Sequence, residues 1–368
     1  MAWNANEVAL KLLSPKGDPG GAYVRFLDDI MRQSRGVGVD YDNLMPTAGP
    51  VSEQTRLLIA VEKLKENPRK TRSESSQIIQ NVLGSNHAGQ YISKLMESAA
   101  QSIAMIDPTA GDWHAQDFVM GSYRPSSWQR DESFQSFCSR SVPLGSDKAI
   151  NAAKTALDEK SSMRARKLQK RLGIQFYATD NLAEHLLLEN KHGKTRLYIF
   201  HYAGYLKARL EQTRSFNLPI DCAMETCLEH GTLPPQLLVE TLHSIQAVLF
   251  PVTEPEEVRI LRTLIRMQHF DPECAENEGY KVYQNVPKDF KYIYWAERLA
   301  TLHARLKDRP PRSRLEKWLA QENNDGNAFL IALLALFISV IVGILGLILA
   351  AVQTWIAWMA WKYPVPDR

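Results

Sequence analysis

Cys222, Cys227 and His230 come nearest in this chain to a metal-ligand set. Zinc takes thiolates and imidazoles that converge tetrahedrally, usually from closely spaced cysteine pairs. The first pair here is Cys-Ala-Met-Glu-Thr-Cys, and no second pair follows at knuckle distance. On a helix, Cys222 and Cys227 would project about 140° apart, which opposes convergence. The spacing therefore reads as buried cysteines. Cys274 is too isolated to complete a set, and no metal is expected.

His201 closes a strand-like run, Thr195–Phe200, and His185 lies on the helical segment before it. A strand-end histidine near a second histidine suits proton transfer. No Gly-x-Ser-x-Gly elbow and no reactive-cysteine setting accompanies them. Satisfied structural histidines are the simpler reading, with His185 and His201 kept as catalytic candidates. His269, Asp271 and Cys274 sit just past a helix end, where capping is the simpler role. The glycines of Gly17-Asp-Pro-Gly-Gly and Gly36-Val-Gly lack the Gly-Lys-Ser/Thr of a phosphate loop. No nucleotide and no other cofactor is expected.

Two basic clusters stand out. Arg164, Arg166, Lys167, Lys170 and Arg171 interleave with Met163, Leu168 and Leu172 near helical spacing, so the simplest reading is a solvated helix face, with anionic lipid ahead of nucleic acid as the alternative partner. Arg305, Lys307, Arg309, Arg312, Arg314 and Lys317 precede the apolar C-terminal run and suit anionic lipid headgroups. With 44 basic against 41 acidic residues the chain is near neutral. That balance gives no ground for nucleic-acid binding.

Behind these averages lies one local extreme. From Gly326 to Trp361 no residue is charged. A bilayer core of about 30 Å needs about 20 helical residues. A helix apolar on every face cannot sit in water unless it is buried all round. Ala328, Leu333, Phe337, Val342, Leu347 and Val352 mark this anchor. Trp355, Trp358 and Trp361 close it, as rings that favour the headgroup level. The excess of Lys and Arg before it favours the cytosolic side for residues 1 to about 325, and residues 362–368 form a short tail. The run is longer than one bilayer core, and Gly343 and Gly346 lie near its centre. A re-entrant hairpin is therefore the competing topology.

Upstream, the pattern is mainly α with a small α/β element. Residues 1–106 read as a helical region. Short helices are expected over Leu10–Leu13 and Phe26–Met31, and longer ones over Ser52–Glu66, Ser73–Leu83 and Gln90–Ile106. Residues 107–145 read as a long connection pinned by Trp113, Phe118, Trp128, Phe134 and Phe137. Residues 146–320 read as an α-rich domain with two short strands. It opens on a long helix, Ser146 to about Arg171. A strand at Ile174–Ala178, a short helix over Asn181–Leu188 capped by Thr179 and Asp180, a turn at Glu189–Lys194 and a strand at Thr195–Phe200 follow. Helices over His201–Thr213, Pro234–Leu249, Pro255–Met267 with a Thr253/Glu256 capping box, and Pro287–Lys307 complete it.

Several stretches taken together carry a resemblance: Leu172-GIQFYATDNLAEHLLLE, Leu197-YIFHYAGYLKARL, Leu233-PPQLLVETLHSIQAVLFP, Phe270-DPEC, Arg309-PPRSRLEKWL and Gln353-TWIAWMAWKYP. Over residues 107–364 the chain resembles a group of uncharacterised fungal proteins that join an α-rich cytosolic region to a C-terminal membrane helix. The resemblance implies a fungal source and a single anchor, with no activity to carry over.

The N-terminus holds Glu7 and Lys11 and has no uninterrupted apolar core, unlike a secretory signal. Four cysteines without a framework spacing fit a reducing compartment. The expectation is a membrane-tethered, cytosol-facing protein with an interaction or regulatory role. The alternative is a membrane-associated enzyme, or an accessory protein, of a specialised metabolic pathway. The length of the apolar run points to the endoplasmic reticulum or a later secretory membrane rather than mitochondria.

Overall fold

The computed structural model describes residues 4–13, 20–36, 52–84, 89–115, 117–120, 122–276, 289–308 and 326–362. The chain divides into two units, Met1–Lys307 and Asp308–Arg368.

The first unit opens with helices whose apolar residues recur every three to four positions. Helix α1 (Ala5–Leu13) buries Val8, Ala9, Leu12 and Leu13, and α2 (Gly21–Gly36) buries Tyr23, Phe26, Leu27 and Ile30. Both extend beyond the short helices expected there. Helix α3 (Glu53–Glu66) starts where Ser52 accepts the Thr55 N–H, and it buries Leu57, Ala60, Val61 and Leu64. Helix α4 (Arg72–Leu83) is fixed by a reciprocal cap. The Thr71 hydroxyl accepts the Glu74 N–H, and the Glu74 carboxylate accepts the Thr71 N–H. Two orphan donors are satisfied at once. Helix α5 (Gly89–Ala104) packs on α2 and α3.

The aromatic stretch 107–145 is only partly a connection, because Phe134–Ser141 forms helix α6. Trp128, Phe134 and Phe137 pin it as expected. Trp128 is fully buried, its indole N–H donates to the Glu132 carbonyl, and Arg72 lies over its ring. Trp113 departs from the expectation: it is 73% exposed, with its N–H on the Thr109 hydroxyl.

The long helix expected over residues 146–171 is broken. Helix α7 (Asp147–Asp158) ends in a tight turn at Lys160–Ser162, and α8 (Ala165–Leu172) follows. Met163 is buried at the break and joins the hydrophobic cluster. Gly173 then adopts a left-handed conformation and ends α8.

Strands β1 (Ile174–Thr179), β2 (Leu188–Lys191) and β3 (Lys194–Phe200) form one sheet in the order β1-β3-β2. β1 and β3 are parallel with Phe176 opposite Leu197, and β2 is antiparallel to β3. β2 corrects two expectations. The helix over 181–188 is a single turn, Leu182–Glu184, capped by Asn181, and the expected turn at 189–194 is mostly strand. Only His192 and Gly193, both at positive φ, make the turn.

Helix α9 (Ala203–Ser215) leaves β3 at its buried end. The short α10 (Met224–Glu229) and α11 (Pro235–His243) come next. From Ser244 to Leu249 the coil widens into a π-helix, where one α-helix was expected through Leu249. Helix α12 (Pro255–Gln268) has Glu254 at its cap with no side-chain bond to the helix N–H groups, so the expected Thr253 box does not form. Helix α13 (Ala296–Lys307) starts later than expected. Within Pro287–Lys307, residues 289–295 are non-helical and 287–288 lie outside the described residues. One hydrophobic cluster runs from Val8 to Leu306, drawing on all three stretches that the sequence separated, 1–106, 107–145 and 146–320.

In the second unit, helix α14 (Gly326–Lys362) is unbroken over 37 residues, about 55 Å of helix. It passes through Gly343 and Gly346 without the turn that a hairpin needs.

Candidate functional site

His185 sits where the turn after β1 meets the π-helix. It is fully buried, with Nε2 2.7 Å from the Ser244 hydroxyl. Proximity alone would suggest a nucleophile and its base. The partners reverse that reading. Nδ1 accepts the backbone N–H of Phe200 at 3.2 Å, so the ring proton is on Nε2. Nε2 therefore donates to Ser244, whose own proton goes to the Thr241 carbonyl at 2.7 Å. The imidazole has no lone pair left to take the serine proton. Burial, then the Arg298 charge, hold its pKa well below the ordinary value, so the ring is neutral.

His201 is held the same way. Its Nδ1 accepts the Asp271 N–H at 3.1 Å, and its ring stacks between Tyr202 and Phe270. The proton on Nε2 points to Asp180, 3.6 Å away, whose carboxylate also accepts the Tyr202 hydroxyl at 2.7 Å. Asp271 caps the turn Pro272–Ala275 by accepting the Glu273 N–H, as its place past a helix end predicts. Its other oxygen accepts the Gly204 N–H at the start of α9. The buried Cys274 thiol donates to the His201 carbonyl, and burial raises its pKa well above the ordinary value. No ring contact or hydrogen bond joins His185 to His201, although His185 binds the N–H of Phe200, the residue just before His201.

The cysteine cluster does not converge. Cys222 lies before α10, and Cys227 is buried within it with its thiol toward the Cys222 carbonyl. His230 follows the helix and turns its Nδ1 to the Thr226 carbonyl. Among the described residues no group of His, Cys, Asp or Glu is placed to hold a metal ion.

Two buried charges escaped the sequence reading. Glu240 accepts the backbone N–H groups of Ile293, Tyr294 and Trp295 at 2.6, 3.0 and 2.9 Å, and the Gln236 amide at 2.7 Å. It thereby caps the entry to α13 from another helix. Its signal was legible: it is the one Asp, Glu, Lys or Arg between Gly231 and Thr253. Arg209 lies on the buried face of α9. It binds the carbonyls of Leu12, Ser102, Ile103 and Gly231 and the side chain of Gln212. Among the described residues no carboxylate touches it. The C-terminal ends of α1 and α5 point at it instead, and these carry partial negative charge. Its signal was a cation at helical spacing between Tyr205, Ala208 and Thr213 on an otherwise apolar face.

Helix α14 offers a different kind of site. Residues Ala335–Met359 make it long and apolar enough to cross a membrane by length and composition. Among its described side chains, Leu333, Phe337, Val342, Leu347 and Val352 are all exposed, as are Trp355, Trp358 and Trp361. Ala328 lies on the helix, with its side chain outside the described set. Thr354 returns its hydroxyl to the Ala350 carbonyl, hiding its one polar group. Trp355 and Trp358 pack 5.6 Å apart, and Lys362 lies over the Trp358 ring. Monomeric soluble proteins rarely leave so long an apolar surface uncovered. Of the basic residues before it, Arg305 and Lys307 end α13, where Lys307 pairs with Glu159. Arg309, Arg312, Arg314 and Lys317 lie outside the described residues. No protein-family model, curated protein or solved structure matches the chain.

Proposed function

We propose that this chain is a membrane-tethered protein whose first unit faces the cytosol and serves an interaction or regulatory role without catalysis. The observation that carries the tether is the apolar helix Ala335–Met359, none of which is buried by the chain itself. Its unbroken course favours one span over a hairpin. The basic residues Arg305, Lys307, Arg309, Arg312, Arg314 and Lys317 precede it and suit the anionic cytosolic headgroups. The tryptophan cluster suits the opposite interface. The length of the run favours the endoplasmic reticulum or a later secretory membrane.

The wiring of His185 and His201 supports a non-catalytic role over that of an enzyme or accessory of specialised metabolism. Both imidazoles spend their lone pair on a backbone N–H. The resemblance to fungal anchored proteins rests on the quoted stretches alone and agrees with this architecture.

Carbonate extraction and protease protection of the full chain, tagged at its N-terminus, test the reading. The expected result is a carbonate-resistant pellet with the N-terminal tag digested from outside. A soluble chain, or a tag protected in the lumen, would overturn it.

A further inference from the structure

Helices α8 and α12 share one basic surface. Arg164 pairs with Glu254, and the Arg166 N–H donates to the Glu257 carboxylate, so the two helices meet at their N-termini. Glu256 then takes both Arg166 of α8 and Arg259 of α12, at 3.6 and 3.5 Å. That shared carboxylate makes the two outer faces continuous. Beyond it lie Lys170, one turn on from Arg166, and Arg262 and Arg266, one and two turns on from Arg259. Lys170, Arg171, Arg262 and Arg266 are exposed, and among the described residues none has an acidic partner. Over the two helices and their cap residues, eight basic side chains meet three carboxylates. Their net charge exceeds the +3 of the whole chain, so everything else sums to a negative charge. Met267, 68% exposed, adds an apolar side chain at the C-terminal end of this surface.

We infer that the α8/α12 surface lies on the anionic leaflet of a membrane, as a second contact beside the apolar helix. The inference rests on the proposed tether, which keeps the first unit beside a bilayer. Charge complementarity selects the occupant. Unpaired cations spread over two helices match a fluid sheet of phosphate and carboxylate headgroups, and each contributes without needing fixed geometry. The exposed methionine suits the boundary below the headgroups.

Residues 1–307 contain the whole core cluster and can be tested without the apolar helix. The experiment is co-sedimentation with vesicles of phosphatidylcholine alone, and of phosphatidylcholine with about one-third phosphatidylserine. Binding is expected only to the second, and it should weaken steeply with added salt. Lys170→Glu with Arg262→Glu should weaken it by about tenfold or more. Lys148→Glu with Lys154→Glu, an equal charge change on the exposed face of α7, should leave it within about twofold. All four positions are exposed, and circular dichroism confirms each fold. Equal losses from both pairs, equal binding to both vesicles, or no binding would overturn the surface. So would tighter binding to a mixed RNA oligonucleotide at the same salt. Carbonate resistance of the full chain is untouched by any of these results, so the two readings fail separately.

Discussion

Ser244 receives the Nε2 proton of His185 at 2.7 Å and passes its own to the Thr241 carbonyl. The pair has the spacing of a nucleophile and its base with the proton flow reversed. Ser244→Ala should therefore leave a buried imidazole N–H without an acceptor and cost about 1–3 kcal/mol of stability. Wild-type protein should not be labelled at Ser244 by a fluorophosphonate, since the hydroxyl is neither activated nor exposed. Labelling at Ser244, read by peptide mass spectrometry, would restore the enzyme reading.

Arg209 holds elements far apart in sequence through neutral acceptors. Arg209→Met should strand the carbonyls of Leu12 and Gly231 and the Gln212 side chain. The Ser102 and Ile103 carbonyls keep the hydroxyls of Tyr23 and Tyr205. The expected loss is about 3 kcal/mol or more, read by urea denaturation of residues 1–307. Arg209→Lys should recover only part of it, because an ammonium cannot fork to carbonyls on opposite sides.

Glu240 gives the fold a pH dependence of definite sign. Burial pushes its carboxyl up to about 7 from an ordinary 4.5, against the pull of its N–H donors. The folded state thus holds its proton more tightly than the unfolded state. The associated stability is fully present below pH 4.5 and is lost as pH rises through about 7. The wild type should lose about 3 kcal/mol across that window relative to Glu240→Gln, whose side chain does not titrate. Parallel stability curves for the two proteins would refute the shift.

Gly111 is a steric requirement. A Cβ there would lie 2.5 Å from the Ser127 nitrogen and 2.9 Å from the Ser126 Cα, both backbone atoms. Gly111→Ala should cost about 1–3 kcal/mol by displacing the segment that carries Trp128. Thermal melting checks it.

Leu347 is the midpoint of Ala335–Met359. Leu347→Arg should oppose insertion by about 2.5–3.5 kcal/mol, whereas Trp361→Arg, at the margin, should insert almost normally. Carbonate extraction of the two variants reads the difference. Equal extraction of both would argue against a span centred there.

What the sequence disclosed followed the strength of its local signals. Ser52 and the apolar positions Leu57, Leu58, Val61 and Leu64 placed α3 within a residue, because start signal and periodicity agree. Ile174–Ala178 and Thr195–Phe200 read as strands through their aromatic and β-branched content. β2 was missed because Glu189, Asn190 and Lys191 are poor strand formers, and they pair only because β3 supplies a ladder. The break between α7 and α8 was missed because its residues are all tolerable in a helix. Met163 is drawn inward by tertiary packing. The two histidines were found by type and position, but their proton arrangement depends on the N–H groups of Phe200 and Asp271. No spacing rule reveals those partners.

The bond from Arg209 to the Leu12 carbonyl spans 197 residues. During synthesis at about 5–20 residues per second, α1 leaves the ribosome about 10–40 s before its arginine exists. Through that interval α1 can pack on α2, its neighbour in chain and fold, but its carbonyl end waits for the guanidinium. The carbonyl end of α1 is thus satisfied only once α9 has been made. Slower translation between α1 and α9 lengthens the time for which that end of the core stays open.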